Sequence, residues 1–408
     1  MKKNIFYLFI VQMSNYIFPL ITLPYLVRNL GSTNFGYLML AQALTQYFIL
    51  TTDFGFNFSA TKKISSAKNQ EEINNIYTET LNAKLILTVA CSMFLCLIIA
   101  FVPMFNVIAL TCCVLFFGVI GNAFFPVYLF QGLEIMRNIT WIILLGRSVM
   151  LVLIFYLVNG KDDINKAALS LSLALALPGI ISLILVGKWK TAKYKGFSFL
   201  SGFDAIKNST PLFISQIAIT FYTTFNSILI GHVFDAKQVG IYSAADKLRG
   251  AVQSIFIPIQ QVVFPRINKD ARPINIKLKL YGGVFILFSL IVSLAVFFIG
   301  DKVVVLYFGD EYSESANLFK WMSVLIFIVS IAIVFSQWGL ITLGKERLLT
   351  RIYIVGAILH CVYAPIVTNI YGLYGTLLSV IVTEFTLTLL MGYFLIKVLK
   401  EQKFKNEK

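Results

Sequence analysis

The chain has 408 residues, 58% of them hydrophobic and 13% charged, with a net charge of +15 and a mean hydropathy of +0.81. A soluble globular chain carries roughly 25% charged residues. About half that leaves too little polar side chain to clothe a water-facing surface, so a soluble fold is excluded.

The apolar residues come in blocks of roughly 20, the length at which a helix crosses a bilayer's hydrocarbon core. Twelve spans are predicted in chain order, at 6–27, 36–59, 82–102, 106–130, 139–159, 167–187, 209–231, 239–264, 280–300, 318–342, 351–370 and 373–397. The expected class is an all-α polytopic membrane protein with short loops and no soluble domain. Spans one, two, seven and eight are the poorest in hydropathy. Their Asn, Gln, Ser, Thr and Pro suit helices that face a wet interior. MKKN followed by an apolar run resembles a secretory signal, but no small-residue cleavage site follows. The first span is therefore expected to be retained.

Lys and Arg concentrate in the two tails and in the loops between spans 2–3, 4–5, 6–7, 8–9 and 10–11. The opposite loops hold Arg28, Lys161, Lys166, Lys237, Lys302 and Lys320. The positive-inside rule then places both termini of this inner-type membrane protein in the cytoplasm. It also accounts for the net charge without nucleic acid: KWKTAKYK, 188–195, reads as a connector beside anionic lipid.

LFIVQ at Leu8–Gln12 returns as LFISQ at Leu212–Gln216, half a chain later. At the same offset Gly36, Ala41 and Leu44 meet Gly240, Ala245 and Leu248. Six spans per half is an even number, so both halves enter the membrane with one orientation. The expectation is two six-helix lobes, 1–204 and 205–408, related by a pseudo-two-fold axis along the membrane normal around a central cavity.

Enzymatic chemistry is hard to find. His232 and His360 lie far apart, which argues against a His-based metal site or triad. The five cysteines, Cys91, Cys96, Cys112, Cys113 and Cys361, sit in spans without a CxxC pair and read as small apolar residues. GLITLGKE, 339–346, approaches a phosphate-binding loop but has Glu346 where a hydroxyl must follow the lysine. No cofactor and no nucleotide site are expected, so transport would run downhill or on an ion gradient.

Charges within the bilayer cost a few kcal/mol or more each unless paired or hydrated. Asp53, Arg147, Asp246, Lys247, Arg249 and Glu384 fall in predicted spans. Asp246, Arg249, Gln253 and Gln260 share one helical face, which either lines a water-filled cavity or holds an internal Asp246–Arg249 pair. Arg147 and Glu384 read equally as packing partners or as functional charges.

The runs TDFGFNFSATKKIS (52–65) and FFPVYLFQGLEIMRNIT (124–140) resemble polysaccharide-biosynthesis flippases of the Wzx, or O-antigen transporter, type. FPLITLPYLVRNLG...FGYLMLAQ (18–42) and GLYGTLLSVIVTE (372–384) fit the same family or its wider exporter superfamily. The resemblance implies a bilobed twelve-helix, MATE-like fold with a V-shaped cavity. It also implies a substrate, an undecaprenyl-diphosphate-linked oligosaccharide turned from the cytoplasmic to the periplasmic leaflet. Membrane lipid, a polysaccharide polymerase and a chain-length regulator are the partners that go with it.

The chemistry of the residues suits such a substrate. Cations in a cavity would neutralise a diphosphate, and Arg fits its oxygens bidentately. Arg28, Arg147, Lys247 and Arg249 are the candidates for that role, with Asp53, Asp246 and Glu384 for ion coupling. Asn15, Tyr16, Gln46, Tyr222 and Asn226 offer contacts to sugar faces and hydroxyls. Two rivals remain: an ion-coupled multidrug or metabolite exporter of the same fold, and an integral-membrane enzyme. The short outer loop near 301–317 speaks against the enzyme.

Overall fold

The computed structural model describes residues 2–270 and 272–406; for 2–6, 8, 9, 215, 219, 221, 222, 269 and 402–406 it describes the backbone alone. The described residues form helices and no strand. In lipid this follows from the backbone, whose N–H and C=O groups find no water and must bond within their own segment. The helices are α1 (Lys2–Asp53), α2 (Phe56–Ser65), α3 (Gln70–Phe101), α4 (Pro103–Asn106), α5 (Ala109–Ala123), α6 (Val127–Gly132), α7 (Met136–Leu157) and α8 (Ile164–Trp189). They continue as α9 (Phe199–Val233), α10 (Ala236–Ser254), α11 (Phe256–Lys269), α12 (Ile274–Lys277), α13 (Gly283–Phe308), α14 (Ser313–Ile333) and α15 (Glu346–Asn406).

All twelve predicted spans lie on these helices. Among the described residues, eight helical stretches are long and apolar enough to cross a membrane by length and composition alone. The difference has two causes. At 1.5 Å per residue, α1 and α15 would be roughly 80 and 90 Å long, far beyond a core of about 30 Å. Each is broken once, α1 at Gly31 (φ 68°) and α15 at Gly372 (φ 64°), so each holds two spans. The remaining two, spans seven and eight, lie on α9, four of whose side chains are outside the described residues, and on the interrupted pair α10–α11.

By its contacts the chain divides into residues 1–220 and 221–408. In the first unit α5 lies directly on α8 because small residues face each other. A Cβ added to Gly179 would come within 1.9 Å of the Gly121 carbonyl oxygen, and one added to Gly121 within 2.2 Å of Ala176 Cα. Small residues of this kind let membrane helices approach through their backbones. The α1–α2 junction turns through two left-handed residues, Phe54 (φ 41°) and Gly55 (φ 78°). Phe54 stacks on Phe213 of α9 at 4.1 Å, and a side chain at Gly55 would strike Leu212.

In the second unit α13 packs along α14, with Ser293 Oγ donating to the Ser323 carbonyl at 2.7 Å. Its other side presents Val284, Leu287, Ile291, Leu294 and Phe298, all exposed at alternating spacings of three and four. In water that stripe would be a liability; in a bilayer it is the lipid face. The α14 helix runs on into a π-helical stretch, Val334–Ile341, whose Trp338 is wholly buried against Phe285. Lys277 bends back on α11, its ammonium donating to the Ile267 and Asp270 carbonyls at 2.8 and 2.9 Å, a cation at a helix C-terminus.

The repeat positions behave alike. Gly36, Ala41 and Leu44 are buried in the first unit, and Gly240, Ala245 and Leu248 in the second. The side chains of Leu8, Phe9 and Ser215 lie outside the described residues.

Candidate substrate site and intramembrane charges

Arg147 stands near the middle of α7 in the first unit. Its guanidinium donates to Ser14 Oγ and Asn15 Oδ1 on α1 and reaches the Val11 carbonyl at 3.5 Å. Among the described residues no carboxylate lies within 4.0 Å of it. The group is therefore held by neutral oxygens and keeps its full positive charge. It borders a cavity of about 220 Å³ lined by Asn15, Phe18, Pro19, Asn122, Phe125, Ile143, Met150, Ala174, Leu175 and Pro178. Pro19 and Pro178 lack the N–H that would cap the carbonyls of Asn15 and Ala174 four residues earlier, which makes this wall more polar than its side chains suggest. Ligand pockets run to roughly 300–1,000 Å³. This cavity suits a phosphate-sized anion, not a sugar chain.

Asp53, expected as an ion carrier, closes α1 and accepts from Lys84 Nζ at 2.9 Å. Lys84 is a correction to the charge reading, which left it among the loop cations. It is 1% exposed, inside α3, with its ammonium 5.8 Å from the centre of the Tyr128 ring. The signal was present in the sequence: Tyr77, Leu81, Lys84, Thr88, Cys91 and Leu95 follow one another by four and three, and all are buried. A lysine on that stripe must face the protein interior.

In the second unit Asp246 Oδ1 accepts from both Arg249 Nε at 2.9 Å and a terminal guanidinium nitrogen at 2.8 Å. The side chains are 39% and 22% exposed respectively. Glu384 lies close enough to act electrostatically on Arg249, Tyr353 and Tyr363. The structure thus pairs the guanidinium with one carboxylate and places a second within electrostatic reach. Gln253, one turn further on, has a buried amide that meets no hydrogen-bond partner among the described residues. α10 ends at Ser254, and Gln260 follows on α11 rather than on one unbroken helix. Lys247 is exposed beside this cluster, and Arg28 is exposed three residues before the Gly31 break.

Of the amides and aromatics expected to meet sugar, Asn15 is engaged with Arg147, Gln46 is exposed and Tyr16 is half-buried. The side chain of Tyr222 lies outside the described residues. Asn226 is buried, with its oxygen 3.0 Å from His360 Nε2. His360 itself is fully buried, a polar centre that the search for metal and triad patterns passed over.

An all-helical chain with long apolar helices and charged groups held inside two helical units has the makings of a polytopic membrane protein of MATE-like fold. Solved structures agree on the fold. A lipid II flippase MurJ in an inward closed conformation matches with a TM-score of 0.77 at 13% identity, over 95% of this chain and 87% of that one. An inward-facing multidrug resistance MATE family transporter matches at 0.71 and 14%, over 94% and 98%. The chain belongs to the family described as "Polysaccharide biosynthesis protein", which matches residues 1–269. It is 37% identical over 395 residues, 96% of this chain and 99% of the relative, to a protein of Shigella dysenteriae named "Putative O-antigen transporter". A protein of the same name from Escherichia coli K12 is 31% identical over 406 residues, 97% of this chain and 96% of that protein.

Proposed function

We propose that the protein is a flippase that carries undecaprenyl-diphosphate-linked O-antigen or related polysaccharide repeat units from the cytoplasmic to the periplasmic leaflet by alternating access. The observation that carries the reading is Arg147, a guanidinium beside a small cavity in an apolar helix, oriented by Ser14 and Asn15. A diphosphate supplies the anion such a group lacks, and a planar fork binds its oxygens in pairs. The polyprenyl tail stays in lipid, and the sugar needs a wetter space than this cavity.

In the same reading Arg28 and Lys247 add cationic steps along the path, Asp246 matches the charge of Arg249, and Glu384 is the carboxylate left to a coupling ion. Asp53 serves as the counter-charge of Lys84. The halves 1–204 and 205–408 act as two six-helix lobes related about the membrane normal. Both termini are cytoplasmic, and a polymerase and chain-length regulator receive the product on the far side.

The test is complementation of a flippase-deficient strain, read as lipopolysaccharide ladders with membrane levels checked by immunoblot. The wild type restores the ladder, and Arg147→Ala at equal abundance does not. A normal ladder from Arg147→Ala removes the diphosphate role. Export of cationic drugs without any ladder would favour the multidrug reading instead.

A further inference from the structure

His360 lies fully buried in the second unit, on the part of α15 before Gly372. Its Nε2 is 3.0 Å from Asn226 Oδ1 on α9, and its Nδ1 is 2.7 Å from Thr383 Oγ1, beyond the Gly372 break. Thr383 Oγ1 is also 2.8 Å from the Ser379 carbonyl, and the Tyr363 hydroxyl bonds both Thr383 and that carbonyl.

The donors and acceptors can be assigned from chemistry. Asn226 Oδ1 accepts only, so Nε2 carries a hydrogen. The Thr383 hydroxyl has one proton and two lone pairs. Turned toward Nδ1, it completes a neutral imidazole. Turned toward the Ser379 carbonyl, it offers a lone pair to the Nδ1–H of an imidazolium. Both protonation states are fully hydrogen-bonded, and the change between them moves a hydroxyl proton and no heavy atom. A histidine kept for packing requires one arrangement; this site holds two.

We infer that His360 is a proton-binding site of the transport cycle, an inference that rests on the flippase reading above. A buried imidazolium costs free energy unless a charge or water compensates it. The ring is accordingly neutral while enclosed and loads its proton in the state that admits water. One proton is taken from water on one side and returned to water on the other, with no other exchange. The groups facing the ring are Phe225 and Asn226 from α9, Tyr363 from its own segment, and Thr383 with the Ser379 carbonyl from the segment after Gly372. Tyr363 is the titratable side chain among them, and Glu384, next to Thr383, is the sole charged residue between Gly372 and Lys397.

The test uses the full chain in vesicles with a polyprenyl-diphosphate-linked oligosaccharide as probe and a pH-sensitive dye trapped in the lumen. For the wild type, an imposed gradient of about one pH unit, worth 1.36 kcal/mol per proton, speeds flipping severalfold, and flipping moves protons. His360→Gln keeps downhill flipping and loses both the acceleration and the proton flux. Thr383→Val takes the acceptor from the imidazolium, so the pH midpoint of gradient-driven flipping moves toward acid; this variant decides if His360→Gln fails to accumulate. His360→Gln with the gradient response and proton flux intact overturns the proton site alone, as does Thr383→Val with an unmoved midpoint. A wild type that moves none of the probe overturns the flippase reading and this inference with it.

Discussion

Arg147 in the first unit and Arg249 in the second are both guanidiniums on helices among apolar neighbours, yet their surroundings differ in kind. Arg147 is gripped by a hydroxyl, an amide and a carbonyl. Arg249 shares one oxygen of Asp246 through two nitrogens and has Glu384 nearby. Neutral acceptors stabilise a cation through their dipoles and leave its net charge in place. A carboxylate cancels it. In a medium of low dielectric that difference governs what each site can attract. Among the described residues the first unit holds a guanidinium whose charge no carboxylate cancels, and the second holds a charge already matched. An arginine inside a membrane span is therefore not a role by itself; its partners decide the role.

The comparison can be broken most directly at Arg147. Arg147→Ala should slow flipping in vesicles about 100-fold, the loss of roughly two charged hydrogen bonds, and Arg147→Lys about tenfold because a point charge lacks the fork. Initial rates of both variants against the wild type decide it. Rates within twofold for Arg147→Ala would leave no functional distinction between the two arginines.

A large effect of another type is expected at Asp53. Asp53→Ala strands the buried Lys84 ammonium and should cost about 3–5 kcal/mol of stability, seen as a lower melting temperature in detergent. Asp53→Ala with Lys84→Met, which leaves no charge behind, should recover most of it. If the single variant melts with the wild type, the pair is not structural and Asp53 returns to the list of ion carriers.

Arg249 should matter less than Arg147. Arg249→Ala is expected to slow flipping by about tenfold or less, through an uncompensated Asp246, and Asp246→Ala with Arg249→Ala should be faster than Arg249→Ala alone. Equal losses at Arg147 and Arg249, with no recovery in the double variant, would erase the contrast between the units.

The smallest effect is expected outside the membrane. The Arg272 guanidinium holds the Asp270 carboxyl down to about 2, with the Arg272 amide and Lys277 helping. A folded-state value below the unfolded one gives stabilisation that is present above about pH 4 and lost as pH falls toward 2. Arg272→Ala should bring the Asp270 titration back toward about 3.9, measured by NMR on the carboxyl, with flipping unchanged. A fall in flipping would mean that this pair belongs to the transport path after all.

Much of the architecture was legible without a structure. Spans can be read locally because lipid demands, residue by residue, apolar side chains and a self-satisfied backbone. The polar spans seven and eight were visible as helices too, on α9 and α10–α11. The three matched positions from Gly36 to Leu44 and from Gly240 to Leu248 were legible for the same reason, since each is buried in its own unit. Lys84 was legible in principle, on a buried stripe of α3, and was passed over because it stands near the edge of a predicted span. The charges themselves were found at the level of residue type. Asp246 and Arg249 could also be paired, because three residues along a helix is a local spacing.

Beyond that spacing, the sequence by itself determined which stretches are helical and apolar and, Lys84 apart, which charged residues they carry. The tertiary structure alone decided which neighbours those charges have. Arg147 finds Asn15 across 132 residues and His360 finds Asn226 across 134. Such partners follow from helix packing, which depends on close approaches such as Gly121 against Ala176. No periodicity in either segment encodes the meeting. Hydrophobic burial acts on each span separately, but a hydrogen bond in lipid needs two groups within about 3 Å, and only the assembled bundle sets that distance.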